Sequence, residues 1–147
     1  EAFISSHDAA ESCNFVFSSV SEPNKKLGVA TDLGYPTQLS VLKLSGVSTL
    51  ILESNHDERM LMEGPYDWNL KKRIHGQQGH LSNIQAVGLI SNLIHPGLKN
   101  LILAHLSEIN NLPSLAEKTM KDYLESIRSD INLIVAEQNR PSPIIEI

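Results

Sequence analysis

The chain has a single cysteine, few aromatic residues and no long apolar run. Cys13 cannot form an intramolecular disulfide, which fits a reducing cytoplasm. Because free cysteines are usually buried and Cys13 lies in an apolar run, we expect it to be a small core residue. No apolar run approaches the roughly 20 residues that a membrane-spanning helix requires, which argues against a membrane protein.

Positive charge is also scarce, since the 147 residues carry a net charge of −5. This argues against a protein that holds nucleic acid through a broad basic surface. It does not exclude a phosphate group held locally by metal ions, whose charges would dominate their surroundings. A hydrophobic content of 41% and a charged content of 20% are typical of a globular protein, and the length fits a single domain over residues 1–147. The chain starts at Glu1 without a basic segment before an apolar one, so we expect an internal start rather than a signal peptide.

Short apolar runs alternate with helical patterns, and no repeat or low-complexity segment is present. Runs rich in Val, Ile, Leu and Phe predict strands at 14–20, 27–31, 49–53, 101–104 and 132–136. Helices are predicted at 37–44, after a Ser82–Gln85 capping box and after a Ser114–Glu117 capping box. Residues 144–147 are predicted to form an edge strand. Strands that alternate with helices predict an α/β fold.

Three short segments place a metal-ligating side chain beside an apolar run. They are Ser-Ser-His-Asp-Ala around His7, Ala-Thr-Asp-Leu-Gly around Asp32 and Leu-Ala-His-Leu-Ser around His105. Nitrogen and oxygen ligands of this kind suit zinc, manganese or iron. No compact His-x-His or Cys-x-x-Cys pair is present, so spacing alone leaves both a metal site and ordinary hydrogen-bonded histidines open.

The other histidines divide into two groups by their surroundings. His56 and His80 lie near a strand end or a helix start, where α/β proteins place their sites. His75 lies in a polar loop and His95 stands beside Pro and Gly, so we expect surface or capping roles for both. The basic cluster at 71–73 is more typical of a solvated surface than of phosphate contacts.

Taken together, the three segments, Leu-Ile-Leu-Glu-Ser-Asn-His-Asp at 50–57 and Gly-His-Leu-Ser-Asn at 79–83 resemble the metallo-β-lactamase superfamily. They are most similar to its YycJ/WalJ-like branch of metal-dependent hydrolases, and Gly64-Pro65-Tyr66, Trp68 and Arg73 add to the resemblance. The family fold is an αβ/βα sandwich. Its His-x-His-x-Asp-His segment supplies four ligands, precedes the segment that matches His7, and is not found in this sequence. The resemblance therefore implies the C-terminal half of such a sandwich, a mixed β-sheet with covering helices.

The resemblance also implies a two-metal site. His7 would complete the ligand set of one ion, His105 that of the other, and Asp32 would bridge both. Two divalent ions, zinc or manganese, would be bound by the full-length protein, and this chain alone would bind them partially or not at all. Such ions lower the pKa of a bound water, which gives a hydroxide that attacks phosphorus.

Further residues resemble the groups that assist catalysis in related nucleases. Glu53 would fix the tautomer of His80, which would protonate the leaving oxygen or bind the phosphate, across a hydrogen bond of roughly 2.6–3.2 Å. The alternative is that His80 is a helix-start residue that donates to a loop. His56 and Asp57 would cap the next helix or orient the ligands from behind.

Two functions remain open from the sequence. The first is a cytoplasmic metal-dependent phosphodiesterase that acts on DNA in the manner of an exonuclease. The second is a non-catalytic half-fold, whose exposed sheet face would need the missing N-terminal half or a second copy of the chain, because a large apolar face normally seeks a partner.

Overall fold

The computed structural model describes all 147 residues and contains one six-stranded sheet and five helices. The strands are β1 (Ala2–Ile4), β2 (Cys13–Ser18), β3 (Lys26–Ala30), β4 (Thr49–Glu53), β5 (Asn100–Ala104) and β6 (Asn132–Val135). The helices are α1 (Gln38–Leu44), α2 (Glu58–Glu63), α3 (Trp68–His75), α4 (Asn83–Ser91) and α5 (Pro113–Ser126). The predicted α/β class is confirmed, and the fold is consistent with half of a metallo-β-lactamase sandwich.

The strands lie in the sheet in the order in which they occur in the chain. β1, β2 and β3 are antiparallel neighbours, whereas β3, β4, β5 and β6 run parallel to one another. Leu52 pairs with Ala30 on one side and with Leu103 on the other. The carboxyl ends of the three central strands therefore meet at one edge of the sheet, where open α/β sheets form their binding crevices.

One face of the sheet carries the hydrophobic core. Leu50, Leu52, Leu101 and Leu103 have no exposed surface and pack in one cluster with apolar residues of α1, α4 and α5. Gly28 is needed for this packing, because a Cβ at that position would lie 2.9 Å from both a Leu44 and a Leu50 methyl group. Burial of this kind stabilises the fold by roughly 1.5–3 kcal/mol for each large apolar side chain.

The opposite face of the sheet is also apolar but carries no helix-built core. Phe15, Val29, Ile51, Ile102 and Ile134 are paired across five strands in a single row. Ile102 in this row is buried, whereas Phe15 is 42% exposed and the neighbouring Phe17 is 55% exposed. We call this surface, which also includes Ile4, Cys13 and Leu27, the open face.

The capping predictions had mixed outcomes. The Ser82–Gln85 capping box is confirmed, since the Ser82 side chain accepts from Gln85 N–H and the Gln85 side chain accepts from Ser82 N–H. The Ser114–Glu117 box is wrong, because α5 begins at Pro113, after Leu112, without a side-chain cap. Proline suits the first helical position because its φ is already helical and its missing N–H would have no partner there.

Other differences concern short or peripheral segments. β1, α2 and α3 were not predicted as elements; each has only three to eight residues, and α3 buries none of its side chains fully. No strand forms at 144–147. The expectation that Cys13 is a core residue is wrong, because alternation along β2 turns Cys13 to the open face and Asn14 inward. No helix has the length and apolar character needed to cross a membrane.

Candidate metal centre

Three strand ends and two loops bring the candidate ligands together. Glu53 is the last residue of β4, His105 directly follows β5, and Asp32 comes two residues after β3. His7 follows β1 in a loop that is tied to the loop before α4 by a hydrogen bond from Asp8 N–H to the Gln78 carbonyl, 3.0 Å. His80 belongs to that second loop, so all five side chains converge at the carboxyl edge of the sheet.

Two of these residues have an uncommon backbone conformation. Asp32 has φ of 53° and His105 has φ of 57°, in the left-handed region that non-glycine residues seldom occupy. Such residues cost on the order of 1–3 kcal/mol each, persist only where their surroundings hold them, and cluster at functional sites. Here the Asp32 carbonyl accepts from Ser5 Oγ, and the His105 carbonyl accepts from Asn55 Nδ2 at 2.9 Å.

Asn55 is itself held by a buried polar network. The Asn111 side chain donates to the Ser54 and Asn55 carbonyls at 2.9 and 3.1 Å, and it also contacts the Asn83 side chain at 2.9 Å. Buried polar groups that are paired in this way fix a single arrangement of the chain. Through Asn55, the network holds the backbone of His105 directly after β5.

Glu53 is the centre of the site, because its carboxylate is fully buried and accepts four hydrogen bonds. Oε2 accepts from Asp32 N–H at 2.7 Å, from His105 Nδ1 at 2.7 Å and from His80 Nδ1 at 3.2 Å. Oε1 accepts from Leu81 N–H at 2.6 Å. Burial by itself raises the pKa of Glu53, but the hydrogen bonds from His105 and His80 outweigh it and hold the pKa below its ordinary value. Glu53 is therefore an anion that orients two imidazoles.

His7 and His105 present the same ring nitrogen to Asp32. His7 Nδ1 lies 2.9 Å from the Gly79 carbonyl oxygen and His105 Nδ1 lies 2.7 Å from Glu53, so each Nδ1 carries the proton. Their Nε2 atoms then have free lone pairs and lie 3.5 and 3.9 Å from Asp32 Oδ1. Metal-binding histidines commonly donate their other N–H to a carboxylate or carbonyl in this way. The hydrogen bond to Glu53 raises the pKa of His105, against the opposing effect of burial.

The donor set fits a metal ion. Ligand atoms of Asp32, Glu53, His80 and His105 all lie within 4.8 Å of one another, and the Nε2 atom of His7, a fifth side chain outside that group, lies 3.5 Å from Asp32 Oδ1. Glu53 already accepts from two backbone N–H groups, so we assign it to orientation and not to coordination. The three ligands that the resemblance implies, His7, Asp32 and His105, thus lie around one carboxylate oxygen, where nitrogen and oxygen atoms could bind a metal ion.

Remaining sequence predictions fall beside this centre. Asp57 caps α2 by accepting from Met60 N–H at 2.9 Å. His56 is fully buried with neither ring nitrogen hydrogen-bonded, and neither residue contacts the candidate ligands by a hydrogen bond. The placement of His75 in a loop is wrong, because it is the last residue of α3, but its side chain is exposed as expected. His95 contacts the Val47 carbonyl and accepts from Gly97 N–H, which agrees with the capping role expected for it.

A cavity of about 490 Å³ lies in front of the candidate ligands. Besides His7, His80 and His105 it is lined by residues that the sequence did not single out for chemistry, among them Asp8, Tyr66, Arg73 and Ser107. Arg73 binds Asp8 through Nε and through Nη2, the latter at 3.1 Å from Oδ1, across 65 positions of sequence. The only sequence signals were the adjacency of Asp8 to His7 and the family-like segment that contains Tyr66 and Arg73.

Comparison with known proteins identifies relatives of this chain. The chain is 38% identical over 125 residues to an exodeoxyribonuclease YycJ of Bacillus anthracis, a match that covers 85% of this chain and 46% of that protein. The match confirms the resemblance of this chain to the YycJ/WalJ family. That family lies within the metallo-β-lactamase superfamily, as the sequence resemblance implied. Exodeoxyribonucleases WalJ of two Streptococcus pneumoniae strains are 30% identical over 151 aligned positions, which cover all of this chain and 55% of each of those proteins.

The comparisons also set the extent of the match. The chain spans about half the length of the curated relatives it matches. No family model matches the chain.

Proposed function

We propose that the protein is a metal-dependent phosphodiesterase that removes nucleotides from DNA, as the names of its relatives indicate for those proteins. The observation that carries the proposal is the convergence of two imidazole Nε2 atoms on the Asp32 carboxylate, with each Nδ1 occupied by a fixed acceptor. An arrangement of this kind leaves two nitrogen lone pairs beside a carboxylate, as in metal sites whose histidines donate their other N–H to a fixed acceptor.

His7, Asp32 and His105 would hold the metal, with zinc and manganese as the ions that best suit these ligands. Two ions, with Asp32 between them, agree with the approach of both histidines to the same oxygen, Oδ1. When bound, such ions supply a hydroxide at neutral pH and stabilise the charge that develops on the phosphate. Further ligands for two ions would come from the His-x-His-x-Asp-His segment of the family.

His80 would act on the leaving group. Its ring lies between His7 and His105, with ring centroids 4.9 and 5.2 Å away, and it lines the cavity. Since its Nδ1 faces Glu53 at 3.2 Å, the opposite nitrogen is the one available to a substrate oxygen. Glu53 would stabilise the protonated imidazole, so that His80 can hand a proton to the departing oxygen or bind the phosphate as a cation.

The open face supports a second proposal about what completes the protein. Its aromatic and aliphatic rows would pack against the N-terminal half of a sandwich or, failing that, against a second copy of the chain. This chain alone would then be a non-catalytic half-fold with weak metal binding. We also propose a cytoplasmic location, on the basis of a DNA substrate and a lone, exposed Cys13 thiol.

Metal analysis and a simple phosphodiester test the proposed function. We expect the 147-residue chain to bind metal weakly and to leave bis-p-nitrophenyl phosphate intact, and an N-terminally extended form to bind two ions and to hydrolyse it. Hydrolysis by the short chain with stoichiometric metal would disprove the half-fold proposal. An extended form that binds no metal and hydrolyses neither this ester nor DNA would disprove the enzymatic one. Light scattering of the short chain distinguishes a dimer from a monomer.

A further inference from the structure

A second cavity adjoins the candidate metal centre. It has a volume of about 640 Å³ and is lined by mostly polar residues of three loops and the end of α3, including Tyr35, Lys72, Gln77 and Gln78. Asp8 and Arg73 line both this cavity and the one in front of the histidines. The two cavities are therefore neighbours with the Asp8–Arg73 pair as a shared wall, and together we call them the groove.

The Asp8–Arg73 pair leaves donors free for a ligand. Arg73 uses Nε and Nη2 to bind Asp8, while its Nη1 has no hydrogen-bond partner in the protein. Asp8 Oδ1 also lies 3.5 Å from His7 Nε2, so the pair reaches from the metal centre to the second cavity. An arginine fixed by one carboxylate is preorganised to bind a phosphate with its remaining N–H groups, because its fork of donors is rigid.

Lys72 adds a cation that no carboxylate neutralises. It forms no salt bridge, and its Nζ lies 6.0 Å from the centroid of the Trp68 ring. The preceding Lys71 differs, because its Nζ donates to the Met62 carbonyl at 2.7 Å and does not line either cavity. In a chain with a net charge of −5, Lys72 and Arg73 place positive charge beside the one cavity that the candidate ligands line.

Exposed aromatic rings flank these cations. Tyr35, which lines the second cavity, is 41% exposed and Trp68, beside Lys72, is 63% exposed. Proteins that bind single-stranded nucleic acid combine cations along the backbone with aromatic rings on which bases stack, each stacked base being worth about 1–3 kcal/mol. A duplex offers no free base faces to such rings, so the groove favours a single strand.

We propose that the second cavity is a subsite for the nucleotide next to the scissile phosphodiester, in a single-stranded nucleic acid that continues from the metal centre. Lys72 and Arg73 bind the neighbouring phosphate, and Tyr35 and Trp68 stack with bases. This inference rests on the proposed function for the position of the scissile bond, but the binding of a strand to the groove can be measured without any hydrolysis.

The test is direct binding in the presence of a chelator, with the protein in the longest form that its gene encodes. The probe is a fluorescein-labelled oligothymidylate of about six nucleotides, and its anisotropy gives Kd over a range of salt concentrations. Lys72→Gln and Arg73→Gln should each weaken binding on the order of fivefold to tenfold at about 50 mM salt and lower the salt slope by about 0.7. Trp68→Phe and Tyr35→Leu change the aromatic rings without changing the charge. Trp68→Phe should bind as wild type, because phenylalanine still stacks, whereas Tyr35→Leu removes the ring and should weaken binding severalfold.

The matched control is Lys71→Gln, which removes the same charge from the adjacent residue and should leave Kd within twofold. Equal losses for Lys71→Gln and Lys72→Gln would overturn the subsite, as they would show a general charge effect. A hairpin duplex of the same length that binds as tightly as the single strand would also overturn it. An oligouridylate probe distinguishes RNA from DNA as the source of the strand. Asp32→Asn should still bind the probe, so a failed phosphodiesterase assay and a failed subsite give different results.

Discussion

The helix-covered face of the sheet and the carboxyl edge of the same strands are built on opposite principles. On the covered face, Leu50, Leu52, Leu101 and Leu103 are fully buried within one cluster of apolar side chains. At the edge, one to three residues further along the same strands, the chain buries a carboxylate and holds two residues at positive φ. Buried charge and strained backbone both lower the free energy of unfolding, so the apolar core has to stabilise the fold against them.

The largest expected effect is a loss of activity, without a loss of stability, from a change at the carboxyl edge. Asp32→Asn removes the charge between the two histidines, and asparagine tolerates the left-handed backbone at this position. In the N-terminally extended form, hydrolysis of bis-p-nitrophenyl phosphate should fall by at least about a thousandfold, which corresponds to roughly 4 kcal/mol of activation free energy. The free energy of unfolding should stay equal or rise. Asp122→Asn, at an exposed carboxylate paired with Lys118, is the control and should retain full activity. Turnover by Asp32→Asn at the wild-type rate would remove Asp32 from the site.

The reverse variant damages the core and spares the edge. Leu50→Ala leaves a cavity against Leu44 and Gly28 on the covered face, and such changes cost about 3 kcal/mol, within a range of roughly 2–5 kcal/mol. Urea denaturation should show this loss, while metal bound per folded molecule stays unchanged. Leu42→Ala, at a helical leucine that is 70% exposed, should cost less than about 0.5 kcal/mol. A loss of metal in step with stability would show that the edge and the core are not separable.

Glu53 is the point at which the two regions meet, because it is buried like the core and hydrogen-bonded like the edge. Glu53→Gln keeps the shape of the side chain but removes its charge and replaces one acceptor oxygen with an NH₂ donor. That donor must then face either the Leu81 N–H or the Nδ1–H groups of His80 and His105. Removal of such an orienting partner lowers metal affinity by about tenfold to a hundredfold, or roughly 1.4–2.8 kcal/mol. Competition titration with a chromophoric zinc chelator measures it. Glu63→Gln, at an exposed carboxylate paired with Arg59, should leave affinity unchanged. Equal affinities for Glu53→Gln and wild type would mean that Glu53 does not orient the ligands.

His56 makes the edge sensitive to acid. Burial, and secondarily the nearby His75, lowers the pKa of His56 to about 4, while Glu53 and Glu58 act in the opposite direction. Between this pKa and the ordinary value of 6.5 the unfolded chain binds the proton and the folded chain does not, so stability falls as the pH falls. The loss between about pH 7 and about pH 5 should be on the order of 2 kcal/mol.

Denaturation of His56→Leu at both pH values tests this, since the variant should lose most of the difference. His75→Gln, at an exposed histidine, should keep most of it. His105 does not imitate the effect, because its pKa is raised by Glu53, so its contribution is fully present below 6.5 and is lost as the pH rises through its folded-state pKa. An unchanged acid slope in His56→Leu would assign the effect to another group.

The same comparison explains what could be predicted from the sequence. The parallel strands could be predicted because a continuous apolar run such as Leu-Ile-Leu indicates a strand buried on both faces. The Ser82–Gln85 capping box could be predicted because its hydrogen bonds join residues close in sequence. The Ser114–Glu117 pair has an equivalent pattern, but the predicted capping box does not form, because the helix begins at Pro113. His7, Asp32 and His105 were singled out as metal-ligating residue types beside apolar runs. Their separate roles came only from the family resemblance and stay a prediction.

Contacts between distant segments were beyond the reach of local patterns. The Arg73–Asp8 pair joins residues 65 positions apart, and the shared use of one Glu53 oxygen by His80 and His105 depends on the register of β4 with β5. The basic segment at 71–73 shows most clearly what a local sequence pattern cannot predict. Its three residues have equal charge in sequence, but only Lys72 and Arg73 line the second cavity.

The smallest expected effect tests whether the open face belongs with the core or with the surface. Phe17 is 55% exposed in this chain, so Phe17→Ser should cost less than about 1 kcal/mol here, far below Leu50→Ala. If the face packs against the N-terminal half, the same change in the extended form should cost about 3–5 kcal/mol, as for a buried phenylalanine. Val20→Ser, at a fully exposed neighbour, should be neutral in both forms. Equal small costs for Phe17→Ser in both forms would show that this part of the open face stays at the surface, and that the chain's core ends at the covered face.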